Sequence, residues 1–300
     1  MKAELNAGQA TLPLAGIRVV ELGHIIAGPT AGLILADLGA EVIKIERPDG
    51  GDQARHMPGG VSAHFHLFNR NKRGIAVDLK ASGGKKVLLE LVRKADVVVD
   101  NYAPGVLERL GFGYEALSEV NPRIICLSVK GFLPGPYEHR PSLDELCQMM
   151  GGLAFMTGPA GQPLRAGASI VDIGAASYGV IGVMAALWQR ERTGKGQKIT
   201  AGLFETTAFW VGQWMALAGM TDEPSVPMPE RAQSERMGWA IFRLFKTAEG
   251  EQLFIGVTSN GHWERLCRVL DTPDLFAMEE LNSNAKRVAA RDWLLPRIQA

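Results

Sequence analysis

Residues 168–207, ASIVDIGAASYGVIGVMAALWQRERTGKGQKITAGLFETT, constrain the fold of this 300-residue chain more than any other stretch. The window 173–188 holds no charge, is interrupted by Gly174, Ser177, Gly179 and Gly182, and runs directly into charged residues. It is shorter than the ~20 apolar residues a membrane span needs, so it predicts a helix buried in a protein core. The basic turn Arg192-Thr193-Gly194-Lys195-Gly196-Gln197 ends that helix. Asp172 stands at its start, where an extended run gives way to helix. The positive end of the helix dipole favours the ionised carboxylate there, and such an aspartate is either an N-cap or a nucleophile. The local pattern leaves both open.

Partners are bounded by charge. Lys plus Arg and Asp plus Glu both number 32, so no overall positive field draws in nucleic acid or an acidic membrane surface. Any anion site must be local. Hydrophobic residues at 46% and charged residues at 21% describe a globular chain with a sizeable core. Cys126, Cys147 and Cys267 lie far apart in apolar contexts, which predicts neither a disulfide framework nor a zinc site, and a reduced, cytoplasmic protein. Residues 1–14 lack an apolar signal core and read as a short polar extension.

Along the chain, β-branched residues 17–22 predict a strand, followed by the turn GHIIAGP and a helix over 30–38 that Gly39 ends; residues 41–45 predict a second strand. This βαβ order is that of dinucleotide-binding folds, but the first turn is not G-x-G-x-x-G, so a nicotinamide-dependent oxidoreductase is the weakest reading. A long Gly-rich loop follows Ile45, carrying Arg47, Arg55, Arg70, Lys72 and Arg73 together with Phe65 and Phe68. It is a binding loop or a solvated crossing. His56, His64 and His66 in it include a His-x-His pair, but no carboxylate or cysteine stands at a convincing metal-ligand spacing beside them.

Residues 75–79 predict a further extended piece, 83–94 an amphipathic helix and 97–100 a buried strand. That strand leads through Asn101-Tyr102-Ala103-Pro104-Gly105 into a helix ending near Arg109, and the strand over 124–129 delivers Lys130. Ligands of open parallel sheets bind at such carboxyl ends, so Arg47, Arg109 and Lys130 are expected along one sheet edge, with surface solvation as the alternative for each. A helix is expected over 141–150, a strand over 197–201 and an apolar helix over 204–217. The resulting fold class is α/β, an open, mainly parallel sheet with flanking helices over residues 1–220. A linker over 221–236 then leads to a small α+β piece over 237–300, built on a hairpin around Glu249-Gly250.

Taken together, LAGIRVV at 14–20, AGP at 27–29, LGAEVIKIER at 38–47, NKRGI at 71–75, PGVL at 104–107, NPRI at 121–124, SVKGF at 128–132 and RTGKGQ at 192–197 resemble the class III CoA-transferases, also called the CaiB/BaiF family. The resemblance spans residues 14 to about 210 and is weaker through the hairpin. It implies that Asp172 is the catalytic nucleophile, attacking an acyl-CoA thioester to give a mixed anhydride and then an aspartyl-CoA thioester. It implies coenzyme A as substrate, with no permanently bound cofactor, and a small carboxylic acid as the other partner. By the same resemblance Arg47, Lys72, Arg73, Arg109 and Lys130 match basic positions around the nucleotide, Asn101 and Tyr102 lie beside the CoA, and His24 falls in the first active-site loop. Gly174, Ala175 and Ala176 are small enough to admit the pantetheine arm or to pack tightly on the sheet.

Three departures from the family pattern bear on function. Ile26 stands where formyl-CoA:oxalate transferases carry glutamine, which argues against oxalate as the acid, and their Gly-rich mobile loop has no counterpart near 231–238. Leu143 precedes Asp144 where the related racemases place a catalytic histidine; leucine carries no proton, so transfer is favoured over racemisation or isomerisation. Family members are also longer, and their C-terminal part returns to the large domain and helps build an interlocked homodimer. That return is expected to be missing here, which leaves an inactive CoA-binding subunit as a further alternative.

Overall fold

The computed structural model describes residues 12–57, 62–231 and 238–300. Residues 1–11 of the expected polar extension and 232–237 of the expected loop departure lie outside the described residues. Two compact units divide the chain: Met1–Ala154 with Arg165–Met220, and Phe155–Leu164 with Thr221–Ala300.

The first unit is a doubly wound α/β fold. Its elements are β1 (Arg18–Glu21), α1 (Ala27–Asp37), β2 (Glu41–Glu46), α2 (Ala63–Asn69), β3 (Lys72–Ala76), α3 (Ser82–Val92), β4 (Val97–Asp100), α4 (Val106–Leu110), α5 (Tyr114–Val120), β5 (Ile125–Lys130), α6 (Asp144–Met150), α7 (Leu153–Thr157, crossing into the second unit), α8 (Ile170–Thr193), β6 (Lys198–Gly202) and α9 (Leu203–Thr221). The sheet order is β3-β2-β1-β4-β5-β6, and every pairing is parallel. The expected α/β class with an open parallel sheet is therefore observed. Strand order reverses between β1 and β4, which fixes a crevice at their carboxyl ends, where open sheets of this kind bind ligands.

Strand residues alternate between two cores, as a period of two requires. Val19, Val97, Val99, Ile125 and Leu127 face α1 and α8, whereas Val20, Val98 and Cys126 face the layer holding Leu88 and Val92 of α3 and Leu117 of α5. One face of α8 is buried through Val171, Ala175, Val183 and Ala186. The expected core helix is buried along this face, while Ile181 and Trp188 are 63% and 68% exposed on the other. At the far end Arg190 is buried and donates to Asp96 Oδ1 at 2.8 Å and to the Arg123 carbonyl at 3.2 Å, tying α8 to the start of β4. Gly174, Ala175 and Ala176 are packing residues; a methyl added at Gly174 would lie 2.2 Å from the Trp210 ring of α9.

The described residues of the long loop after β2 form regular structure. It contains a 3-10 turn over Gln53–His56 and α2, and the strand expected over 75–79 lies instead at Lys72–Ala76, where it pairs with β2 in the register Val42↔Lys72. Gly23 and Gly28 let the turn after β1 fold back on itself. A methyl at Gly28 would stand 2.7 Å from Gly23 Cα and 2.8 Å from Asn101 Oδ1. Gly28→Ala is expected to destabilise the protein by about 1–3 kcal/mol through overpacking, read as a lower urea midpoint at unchanged slope.

The second unit contains α10 (Met228–Arg231), the antiparallel hairpin β7 (Phe242–Lys246) and β8 (Gln252–Gly256), and α11 (Asn260–Val269), α12 (Pro273–Ala277), α13 (Asn284–Ala289) and α14 (Arg291–Gln299). Ser259 caps α11 by accepting from the His262 N–H, and Trp263, Leu281 and Leu294 form its core. The buried Arg287 donates to the Leu281 carbonyl at 2.6 Å and to Asn260 Oδ1 at 2.9 Å.

Candidate active site

A cavity of about 720 Å³ opens at the carboxyl ends of β1, β4 and β5, within the 300–1,000 Å³ typical of small-molecule sites. His24, Asn101, Tyr102, Lys130 and Asp172 all line it. The turns after β1 and β4 are stitched together reciprocally: the His24 N–H donates to Asn101 Oδ1 at 2.8 Å and Asn101 Nδ2 donates to the His24 carbonyl at 2.9 Å. The His24 and Tyr102 rings lie 5.4 Å apart, and burial lowers the His24 pKa, favouring a neutral imidazole at neutral pH. Lys130 Nζ donates to Asp100 Oδ1 at 2.5 Å and to the Tyr102 carbonyl at 2.7 Å, and Ser128 Oγ binds the other Asp100 oxygen. Lys130 therefore holds the Asn101-Tyr102 turn in place with its charge balanced by Asp100.

Beneath the first loop lies a buried ion cluster. Lys44 Nζ meets Glu21 Oε1 and Asp52 Oδ2, each at 2.9 Å, and Lys72 Nζ meets Glu21 Oε2 at 2.6 Å. Burial pulls the Lys72 pKa down to about 8 despite Glu21, whereas at Lys44 the two carboxylates outweigh burial and raise it. Asp52 also accepts from the Ile25 N–H at 3.0 Å. That bond holds Ile25 at φ +63°, a left-handed conformation costly for a β-branched residue. The cluster thus shapes the loop that carries His24 and Ile26 into the cavity.

Asp172 is the third residue of α8 and not its N-cap; Ser169 occupies the cap position without a side-chain bond. The cap comes from elsewhere. Asp144, buried at the start of α6, accepts the N–H groups of Val171 at 2.8 Å and Asp172 at 3.0 Å through Oδ2, and its Oδ1 accepts from Gln148 Nε2. The expectation that the helix start holds Asp172 ionised also needs correction. Burial, together with the charges of Asp144 and Glu145, pushes its pKa up to about 7. The helix dipole acts in the opposite direction, but its 0.3–1 kcal/mol is less than one pKa unit. A carboxylate freed from the cap and half-buried in a cavity is available to react.

The other expected cations lie elsewhere. Arg47, Arg73 and Arg109 are exposed and do not line the cavity; Arg73 pairs with Glu41 at 3.0 Å. Lys72 is engaged inside the ion cluster, donating also to the Pro29 carbonyl at 2.8 Å and to Asn69 Oδ1 at 3.0 Å. Of the three basic residues expected along one sheet edge, Lys130 alone reaches the cavity. His64 lines the cavity, while His56 bonds the Gly50 carbonyl.

Sequence reasoning missed Asp144, Arg140, Arg165, Asp52 and Glu21. Two of them carry a local signal: Asp144 stands four residues before Gln148 in a helix's first turn, and Lys44 in the apolar run EVIKIE demands a buried carboxylate partner such as Glu21.

The chain belongs to CoA-transferase family III, whose model matches residues 14–300. The parallel six-stranded sheet flanked by helices is the fold that this class shares with its solved neighbour. The chain is 36% identical to a formyl-CoA:oxalate CoA-transferase of Rhodopseudomonas palustris, over 96% of this chain and 73% of that protein. It is 37% identical to an acetyl-CoA:oxalate CoA-transferase of Acetobacter aceti, over 94% of this chain and 73% of that one. A CaiB/BaiF family protein from Brucella suis superposes with a TM-score of 0.82 at 34% identity, covering 97% of this chain and 78% of the other.

Proposed function

We propose that this chain moves coenzyme A between an acyl-CoA thioester and a free carboxylic acid, with Asp172 as covalent nucleophile. The observation that carries this reading is a half-buried aspartate on the cavity wall, relieved of capping by Asp144. An Asp172 oxygen attacks the thioester carbonyl; the C–O bond forms, the C–S bond breaks, and CoA leaves as thiolate. The thiolate then attacks the aspartyl carbonyl of the mixed anhydride, releasing the donor acid and leaving an aspartyl-CoA thioester. The acceptor carboxylate repeats the sequence in reverse. Each step keeps one acyl group activated, and no net proton is transferred.

Asp144 acts as a positioning residue through the Asp172 N–H. Leu143 lines the same cavity and carries no proton, which supports transfer over racemisation. The names of the relatives point to oxalate as one acid, whereas Ile26 gives the loop an apolar residue where those enzymes carry glutamine. His24, Asn101, Tyr102 and Lys130 are the residues placed to meet the acyl-CoA, and Arg47, Arg73 and Arg109 remain surface candidates for its phosphates. A homodimer, as in the family, is part of the same proposal.

The test is exchange itself: new thioesters identified by mass after incubation with mixed acyl-CoAs and carboxylic acids. The reactive form of Asp172 is the anion, so kcat/KM is expected to rise through pH ~7 and flatten above it. At pH 5 it should stand at about 1% of the plateau. Asp144→Asn removes a like charge beside Asp172 and is expected to move the acid limb to lower pH. A profile flat from pH 5 to 9, or a limb moved upward by Asp144→Asn, contradicts this role.

A further inference from the structure

Ser169-Ile170-Val171-Asp172 has the spacing of a capping box, in which the N-cap hydroxyl accepts the N–H three residues on and the carboxylate there returns to the N-cap N–H. Among the described residues neither bond forms. Asp144 takes the Val171 and Asp172 N–H groups from outside the helix. Ser169 itself stands at φ −76°, ψ 62°, the centre of an inverse γ-turn in which the Ile170 N–H donates to the Ala168 carbonyl at 2.8 Å. Caps that bond through their side chains are typically extended at this position.

The hydroxyl that the helix leaves unused lies beside the nucleophile. Ser169 and Asp172 both line the cavity. They are one turn apart, and the Ile173 N–H, donating to the Ser169 carbonyl at 3.2 Å, closes that turn. Side chains at this spacing are neighbours, with about 5–6 Å between Cβ atoms, so one reacting centre fits between an Asp172 oxygen and the Ser169 hydroxyl. No histidine or carboxylate among the described residues accepts from that hydroxyl, which leaves it without the base a serine nucleophile needs. It is a neutral donor.

We infer that Ser169 is a further catalytic residue, whose hydroxyl donates to the oxyanion formed when Asp172 attacks the thioester; the inference rests on the exchange proposed above. As the Asp172 oxygen bonds to the acyl carbon, the carbonyl π pair moves onto the acyl oxygen. The Ser169 O–H donates a hydrogen bond to that oxygen and keeps its proton. The pair returns to the carbonyl as the C–S bond breaks and CoA leaves as thiolate. A donor fixed where negative charge develops stabilises the transition state more than the ground state.

The test follows release of CoA thiol from acetyl-CoA with hydroxylamine as trap, which reads acylation without an acceptor acid, in wild type, Ser169→Ala, Ser169→Thr and Asp172→Asn. Ser169→Ala is expected to lower kcat by about 10²-fold at an unchanged KM for acetyl-CoA. Ser169→Thr, which keeps a hydroxyl, should retain most of the rate. Because Asp144 supplies the cap, the urea midpoint of Ser169→Ala should equal that of wild type, and the acid limb near pH 7 should stay in place. An unchanged kcat in Ser169→Ala, or an equal loss in Ser169→Thr, overturns the assignment. So does a lowered urea midpoint, which makes Ser169 a cap, or an acid limb moved to higher pH, which makes its hydroxyl a partner of the Asp172 carboxylate. Full release by Asp172→Asn removes the underlying reading of the site whatever Ser169 does, and no enzymatic release by wild type overturns both.

Discussion

Replacing Asp172 by asparagine is expected to lower CoA exchange by at least ~10³-fold, the scale seen when a covalent nucleophile is removed, while acyl-CoA binding stays nearly intact. The amide has the size of the carboxylate but cannot form the anhydride. The fold does not depend on the side chain: the α8 start is held through the Asp172 N–H, which still donates to Asp144. Burial and the nearby carboxylates already disfavour a charge at this position. A neutral amide therefore sits there without electrostatic penalty, and the variant is expected to be at least as stable as wild type. Lost exchange in a folded, CoA-binding variant separates chemistry from structure.

The largest expected effect on stability is at Glu21. It is fully buried and touches both Lys44 and Lys72, so Glu21→Gln leaves two ammonium groups facing Asp52 alone. Breaking a buried ionic network in this way costs about 3–5 kcal/mol. The pH dependence follows from Lys72. Its folded pKa of about 8 lies below its unfolded value of about 10.4, so the folded state sheds this proton first as pH rises. Above pH ~8 Lys72 is largely neutral, Lys44 and Asp52 balance, and the loss should shrink. Urea unfolding of wild type and variant at pH 7 and pH 9.5 checks both parts. A loss that stays below ~1 kcal/mol at pH 7, or grows with pH, contradicts the cluster's role.

What could be read without coordinates was whatever short-range pattern decides. The runs VVVD and ICLSV predict fully buried parallel strands, and β4 and β5 are adjacent interior strands of the sheet with residues on both faces covered. Edge strand β3 starts three residues before the expected 75–79 because its first half, Lys72-Arg73-Gly74, is polar and the apolar run Ile75-Ala76-Val77 only begins within it. Its actual register follows from pairing with β2 and from Lys72 reaching Glu21, neither of which leaves a local period. Asp172 shows the same limit. Its place near a helix start was legible, but cap and nucleophile were indistinguishable until Asp144, 28 residues earlier, proved to hold the helix N–H groups. That bond is tertiary and invisible to any window of sequence.

Acylation of Asp172 is the step on which the proposed exchange depends. The direct measurement is peptide mass spectrometry after incubating the protein with an acyl-CoA and quenching with hydroxylamine, which cleaves anhydrides and thioesters. The prediction is a hydroxamate on Asp172 alone, dependent on acyl-CoA and abolished by Asp172→Asn. Turnover of acyl-CoA and acid with Asp172 unmodified, or a hydroxamate on another carboxylate that survives in the asparagine variant, would contradict it.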